Sequence, residues 1–361
     1  MDIDILRLIR SRRVGAVTFH RLMEEHGSAR AALDALPGIA RASGVEKYEA
    51  CPEGVAWAEV RKGEAAGARL ICWGDDDYPL SLAGIGDAPP VLWAKGDTAL
   101  LARPMVALVG ARNASSLGLR MARKLAFSLA EAGQVVVSGL ARGIDTEAHE
   151  AALPATVAVM AGGIDVIYPT ENTALAARIA EQGCLLTEQP PGTEPQARHF
   201  PLRNRIVSGL AHSVVVVEAA ARSGSLITAR DALDQGREVF AVPGHPFDAR
   251  AAGCNQLIRE GATLLTQASE LLDATGQAVI NFGAPVRRRS PAPPVPKPAA
   301  PPAEGLAQRI LDLLGPSPLA EDQLIRDLGI SAATLAPELL ALELEGAVER
   351  QPGGLLIRTA H

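Results

Sequence analysis

The stretch MVALVGARNASSLGLRMARKLAFSLAEAGQVVVSG, residues 105–139, decides the fold. It opens on a short apolar run (105–110), turns through glycine and small polar residues (110–118), continues as an amphipathic segment ending at Gly133, and closes on a second β-branched run (134–139). An apolar run, a segment of helical period and another apolar run form a strand–helix–strand unit, whose helix crosses back so that the strands lie parallel. Gly133 suits the helix end because glycine accepts the left-handed backbone that closes a helix.

The same alternation continues to about Thr275. TVAVMAG (156–162), CLLTEQ (184–189), SVVVVEA (213–219) and EVFAVPG (238–244) read as strands, and SLITARDALDQG (225–236) as a helix. The four valines from Val214 to Val217 show no alternation, as a strand covered on both faces requires. The expected fold class is α/β, a doubly wound parallel sheet.

The flanks differ. Residues 1–69 have the pattern of short helices, and their LPGI (36–39) fits either a helix-hairpin-helix or SAM-like turn or an ordinary helix–helix turn. Residues 70–97 lead into the sheet, so the core domain is placed at 70–284. Residues 285–304, PVRRRSPAPPVPKPAAPPAE, lack apolar periodicity and are expected to be an extended linker. Residues 305–361 read as three helices and a β-hairpin, the order of a winged helix. The third of these helices carries Glu338, Glu343 and Glu345 and no Lys or Arg, which disfavours reading DNA and favours a protein contact or a structural role.

At 361 residues the chain exceeds one ordinary core, and 48% hydrophobic with 21% charged residues is a globular composition. A net charge of −6 argues against wholesale attraction to nucleic acid or anionic membrane, yet leaves room for a local basic groove. Cys51, Cys72, Cys184 and Cys254 are far apart and lack ligand spacing, so reduced thiols and no metal are expected. The acidic start MDIDILRLIR lacks the basic flank of a signal peptide, and no run approaches a membrane span; a cytoplasmic protein is expected.

Ligands of open parallel sheets bind beyond the carboxyl ends of the strands. There the sequence gathers Gly110, Arg112 and Ser115 after the first strand, Ser138, Gly139 and Arg142 after the second, HFPLRNR (199–205) in the fourth connection, and Ser223, Gly224 and Ser225 in the fifth. Small residues let backbone approach a ligand, serines cap helices whose N-termini favour anions, and arginines add charge. No GxGxxG with a following acid, GxxxxGK[ST] or GxSxG is present, so dinucleotide, P-loop and hydrolase readings are disfavoured and no cofactor is expected. Asp145, Glu147 and His149 admit acid–base work, but first-turn acids also complement a helix dipole and a buried Asp can tie down the glycine turn, which is the favoured reading. A polymeric anion fits several separated arginines, with Phe200 either a base-stacking platform or a packing residue and Asn204 a positioning amide.

VGARNAS (109–115), SGLARGID..AH (138–149), AGGIDVIYP (161–169), FPLRNRIVSGL (200–210), VVVEAAARSGSLITA (215–229) and VFAVPG (239–244) together closely resemble the DNA-processing protein A (DprA/Smf) family. The resemblance implies an extended Rossmann-like core that dimerises, flanked by a variable SAM-like N-terminal domain and a winged-helix C-terminal domain. It further implies a non-enzymatic protein that holds single-stranded DNA in a basic pocket and helps load the RecA recombinase in natural transformation. Arg112 falls on the arginine of the family's G-(S/A)-R turn, Arg142 on the basic position of SGLA-(K/R)-GID, and Phe200, Arg203, Asn204 and Arg205 on FP-x-RNR. Ala111 stands where serine is common. Two rival readings are a nucleotide-processing, phosphoribohydrolase-like enzyme, whose PGGxGTxxE is replaced here by RSGSLITARD (222–231), and a duplex-DNA regulator acting through 306–361.

Overall fold

The structure is a computed structural model that describes residues 2–276, 306–314, 319–351 and 355–359; the expected linker at 285–304 lies outside the described residues. Strands β1 (Arg69–Cys72), β2 (Val91–Gly96), β3 (Met105–Val109), β4 (Val135–Ser138), β5 (Thr156–Val159), β6 (Cys184–Thr187), β7 (Ser213–Val216), β8 (Glu238–Ala241) and β9 (Thr263–Leu264) form one sheet. Its order is β1-β2-β6-β5-β4-β3-β7-β8-β9. From β6 across to β9 every neighbouring pair is parallel. The expected parallel sheet is thus present, extended at one edge by β2, which pairs antiparallel with β6, and by β1, which pairs antiparallel with β2.

Helices α1 (Ile3–Arg10), α2 (Ala16–His26), α3 (Ala29–Ala42) and α4 (Glu53–Ala65) precede the sheet. Helices α5 (Leu80–Ala83), α6 (Ser116–Glu131), α7 (Ile144–Ala152), α8 (Thr173–Gln182), α9 (His199–Leu210), α10 (Ser225–Asp234), α11 (Ala252–Arg259) and α12 (Ala268–Gly276) accompany it. The sheet is covered on both faces. Val137, Val157 and Val214 face one apolar cluster with α9 and α10, whereas Val106, Val136 and Val215 face another with α6 and α7. Full burial of a valine contributes on the order of 1.5–3 kcal/mol, which accounts for how rich in valine these strands are.

The N-terminal helices pack on the antiparallel edge. Trp93 of β2 is fully buried in the cluster they share with β5, β6 and α8, and its Nε1–H donates to Glu59 of α4 at 3.2 Å. Sequence pattern left LPGI open as a hairpin turn; instead α3 runs straight through Pro37. Burial of Leu33, Leu36 and Ala40 outweighs the one helical hydrogen bond that proline removes. The turn falls earlier, where Gly27 takes φ +75° and Ser28 caps α3 by accepting the Ala31 N–H.

The C-terminal unit comprises α13 (Leu306–Leu313), β10 (Leu319–Ala320), α14 (Glu321–Leu328), α15 (Ala332–Glu345), β11 (Val348–Gln351) and β12 (Leu355–Arg358). Its three strands pair in the order β10-β12-β11, the wing of a winged helix, around a core of Ile310, Leu324, Leu335, Leu339 and Leu356. Among the described residues no helix is long and apolar enough to cross a membrane. All four cysteines are free and buried.

Candidate nucleic-acid interface

The chain leaves β3 toward β4, β5 and β6 on one side, then returns to lay β7 against the other side of β3. Divergence of this kind opens a crevice at the carboxyl ends of the two central strands. A cavity of about 830 Å³ occupies that position. Gly110, Arg112 and Asn113 line it from the β3 turn, and Arg222, Ser223, Gly224 and Ser225 from the turn after β7. Gly139 and Asp145 contribute from beyond β4, and Phe200, Arg203 and Asn204 from α9.

The turn after β4 is held by side chains from three directions. The Asp145 carboxylate accepts the N–H groups of Gly139 (3.1 Å) and Ala141 (3.3 Å). Asn172 Nδ2 donates to the Leu140 carbonyl at 2.9 Å, and Nε2 of His149 accepts the Leu140 N–H at 3.3 Å. Leu140 needs this restraint because it sits at φ +55° without being glycine. Thr156 donates its hydroxyl hydrogen to the Val136 carbonyl, so Nδ1 of His149, 2.7 Å from that hydroxyl, carries the ring proton. Burial, reinforced by nearby Arg203, lowers the His149 pKa to about 3, keeping the ring neutral and Nε2 free to accept. Asp145 and His149 therefore build the turn, the role favoured from sequence.

HFPLRNR, in the connection after β6, forms the first two turns of α9. Consequently its two arginines, two positions apart on a helix, point in different directions. Arg205 turns into the protein, where Glu188 (2.5 Å) and Asp87 (3.4 Å) hold it. Burial alone would lower its pKa, but those carboxylates outweigh it and leave it raised. Arg203 turns to the floor of the cavity. Asp145 lies 3.9 Å away and the Val159 carbonyl 3.4 Å, while its Nε is buried without a hydrogen-bond partner. Burial lowers the Arg203 pKa, Asp145 works against that, and the like charge of Arg112 adds to it. A β-carbon on Gly139 would overlap this guanidinium, which explains the glycine at the end of β4.

Above Arg203 the exposed guanidinium of Arg112 lies 5.1 Å from the ring centroid of Phe200, a cation–π contact. Tyr168, half exposed, meets Phe200 edge-on at 5.7 Å. Tyr168, Phe200 and Arg112 also border a second, smaller cavity beside the first, along with Arg142. Two rings and a guanidinium plane thus form a shelf at the cavity edge. Phe200 is legible from sequence as a candidate platform, whereas the only sequence signal for Tyr168, in a chain of 3% aromatic residues, is its place in the strand-end segment AGGIDVIYP.

Ser115 and Ser138 lie outside the cavity, and other expected residues already have partners within the chain. Ser115 caps α6 as its motif suggested, accepting the Gly118 N–H at 3.0 Å. The anion beside it belongs to the chain itself: Glu218 accepts the Ser115 N–H at 2.9 Å and the Ser115 hydroxyl. That helix N-terminus is filled from within. Ser138 is fully buried and donates to the Leu108 carbonyl at 2.6 Å, tying β4 to β3. Arg142 pairs with Glu171, both exposed. Ser223 and Ser225 hydrogen-bond each other through their hydroxyls at 2.8 Å at the start of α10.

Four guanidiniums (Arg112, Arg203, Arg222 and Arg250) and one carboxylate (Asp145) line the large cavity. Asp248, outside it, pairs with Arg250 at 3.1 Å. Neither Arg112 nor Arg222 has an ion-pair partner among the described residues, so a positive field is concentrated in this crevice of an acidic protein. Among the described residues no cluster of three His, Cys, Asp or Glu is placed to hold a metal.

A family profile described as DNA recombination-mediator protein A matches residues 69–276, and profiles for a DprA-like N-terminal HHH domain and a DprA winged helix domain match 1–61 and 293–354. The chain is 44% identical over 223 residues to the DNA processing protein DprA of Bacillus subtilis, covering 61% of this chain and 75% of that protein. It is 38% identical over 289 residues to Protein Smf of Escherichia coli, covering 79% and 76%. The X-ray structure of DNA processing protein A from Streptococcus pneumoniae matches with a TM-score of 0.59 at 35% identity, covering 73% of this chain and 98% of that one. The Helicobacter pylori protein, whose structure addresses its single-stranded DNA binding mode, matches with a TM-score of 0.54 at 30% identity, covering 59% and 98%. Sequence and fold agree: the chain belongs to the DNA recombination-mediator protein A family.

Proposed function

We propose that this protein binds single-stranded DNA across the β3–β7 crevice and acts in recombination by capturing a strand, protecting it and handing it to the RecA recombinase. The observation that carries this reading is the excess of guanidiniums in the crevice beside the Tyr168–Phe200 shelf. Separated cations follow a phosphate backbone, and exposed rings stack bases of any identity. Gly110, Arg112, Arg203, Asn204, Ser223, Gly224 and Ser225 supply the backbone contacts, Phe200 and Tyr168 the stacking surface, and Arg142 the outer rim. Arg205, Ser115 and Ser138 act through the scaffold that shapes the site. The family relationship and the single-stranded DNA binding of the Helicobacter pylori relative support the same reading.

The mechanism is binding without bond chemistry. Asp145, the one carboxylate lining the cavity among the described residues, already accepts two backbone N–H groups and neighbours Arg203, which supports a scaffold role over a general base. The functional unit is a homodimer through the Rossmann-like domain, in the cytoplasm, working without cofactor. Titrating labelled oligothymidine and a blunt duplex of equal length tests the binding reading. A marked preference for the single strand is expected; equal affinity, or release of free base from nucleoside monophosphates, contradicts it.

A further inference from the structure

Helix α15 carries two apolar stripes. Leu335, Leu339 and Leu342 face the core of their own winged-helix unit. Leu340 and Leu344, one helical turn apart, lie on a different side and are buried at 2% and 1% exposure among the leucines of the N-terminal helices. A DNA-reading helix presents an outward face of cations and amides to the groove. Here the outward face is a leucine pair flanked by Glu345 and by Glu343, which also pairs with Arg350 of its own unit at 3.1 Å.

The opposing surface matches it. Arg21 of α2 donates to the Ala336 carbonyl at 3.1 Å, and the Thr18 hydroxyl to Glu343 at 3.2 Å. Arg13 donates to the Leu344 carbonyl in the last turn of α15. Carbonyls of a last turn lack helical partners and carry the negative end of the dipole, so a guanidinium is a fitting cap. The same Arg13 draws down the pKa of Glu345, although burial leaves it raised. Arg13 reaches this position from a backbone at φ +64°, a conformation costly for a non-glycine residue. Apolar stripe, carbonyl cap and charge sign all fit one partner.

We propose that the winged-helix unit is a docking module whose partner is the N-terminal helical unit of the same chain, with α15 acting as a protein-binding helix in place of a DNA-reading one. Docking engages the guanidiniums of Arg13 and Arg21 and keeps the leucine face of α15 away from nucleic acid. The proposal does not depend on the single-strand reading of the crevice.

Thiol labelling of the full-length protein tests it, because the four native cysteines are buried. Leu340→Cys is compared with Thr334→Cys, an exposed position on the same helix. Leu340→Cys is expected to label at least about tenfold more slowly, and adding Arg13→Glu and Arg21→Glu to bring the two rates within about twofold. Hydrogen exchange of peptides over 336–345, compared between wild type and Arg13→Glu/Arg21→Glu, gives a second reading with the winged-helix sequence intact; faster exchange in the double variant is expected. Equal labelling at the two positions, or exchange unchanged by the double variant, overturns the proposal. Protection that is lost on dilution overturns docking within one chain in favour of a second copy. Protection of Thr334→Cys by blunt duplex DNA overturns it in favour of groove binding.

Discussion

Arg203 and Arg205 stand two residues apart on α9, yet one lines the floor of the cavity and the other is locked to Glu188 and Asp87 inside the protein. Two helical positions are about 200° of rotation, so a triplet that reads as one basic motif splits into a cavity-facing arginine and one paired inside the protein. Their substitutions should therefore fail in different ways.

Arg205→Ala leaves Glu188 and Asp87 without their buried cation. Breaking a buried pair from one side costs about 3–5 kcal/mol, so a lower melting temperature is expected. Single-strand affinity of the protein that remains folded should stay close to wild type. Arg203→Ala should reverse the pattern, losing affinity with a smaller thermal effect. Thermal melts alongside anisotropy titrations read both; matching profiles for the two variants would contradict the division.

Gly139→Ala puts a methyl group where the Arg203 guanidinium lies. Overpacking of this kind costs about 1–3 kcal/mol, and the displaced arginine should take single-strand affinity down with it. If Gly139→Ala binds as well as wild type, Arg203 does not need its observed position.

Phe200→Ala and Tyr168→Ala remove stacking surface without removing charge. Each is expected to weaken binding by an amount within the range of about 1–3 kcal/mol for a lost base stack, while leaving the slope of affinity against salt unchanged. A change of slope would show that the rings act by holding Arg112 instead of meeting a base.

His149 gives the fold a dependence on pH. Its pKa is about 3 in the folded protein against 6.5 for the ordinary imidazole, so its neutral form is favoured by folding. That contribution is complete above 6.5 and is lost as the pH falls toward 3, at up to about 1.4 kcal/mol per pH unit. His212, lowered to about 4, acts in the same direction, and Asp145, raised by burial, in the opposite one. Comparing His149→Gln with wild type isolates the first. The stability gap between them should narrow as the pH is lowered from 7 to 4 in denaturant titrations; a constant gap contradicts the assignment.

The central sheet was legible because strands covered on both faces are mostly apolar without alternation, as Val214 to Val217 show. The edge strands β1 and β2 were not, since four or six residues among aspartates and prolines carry too short a pattern. Within the site, Gly110, Arg112, Phe200 and Arg203 were legible as a group because topology alone brings strand ends together. The fate of Ser115 was not, because Glu218, which fills its helix terminus, comes from 103 residues further along the chain. Arg205 was hidden for the same reason: Asp87 and Glu188 belong to other segments. On α15 the glutamates were visible, but its second leucine stripe acquires meaning only once a partner surface lies against it.

The most direct test of the crevice is the affinity for oligothymidine across a salt series, measured for wild type and Arg112→Ala. Arg112 is exposed, lacks an ion-pair partner among the described residues and lies against the Phe200 ring. Removing it should weaken binding to every single-stranded sequence alike and reduce the slope of log K against log salt by about 0.7 for one lost phosphate contact. Unchanged affinity and unchanged slope would contradict single-strand binding in the β3–β7 crevice.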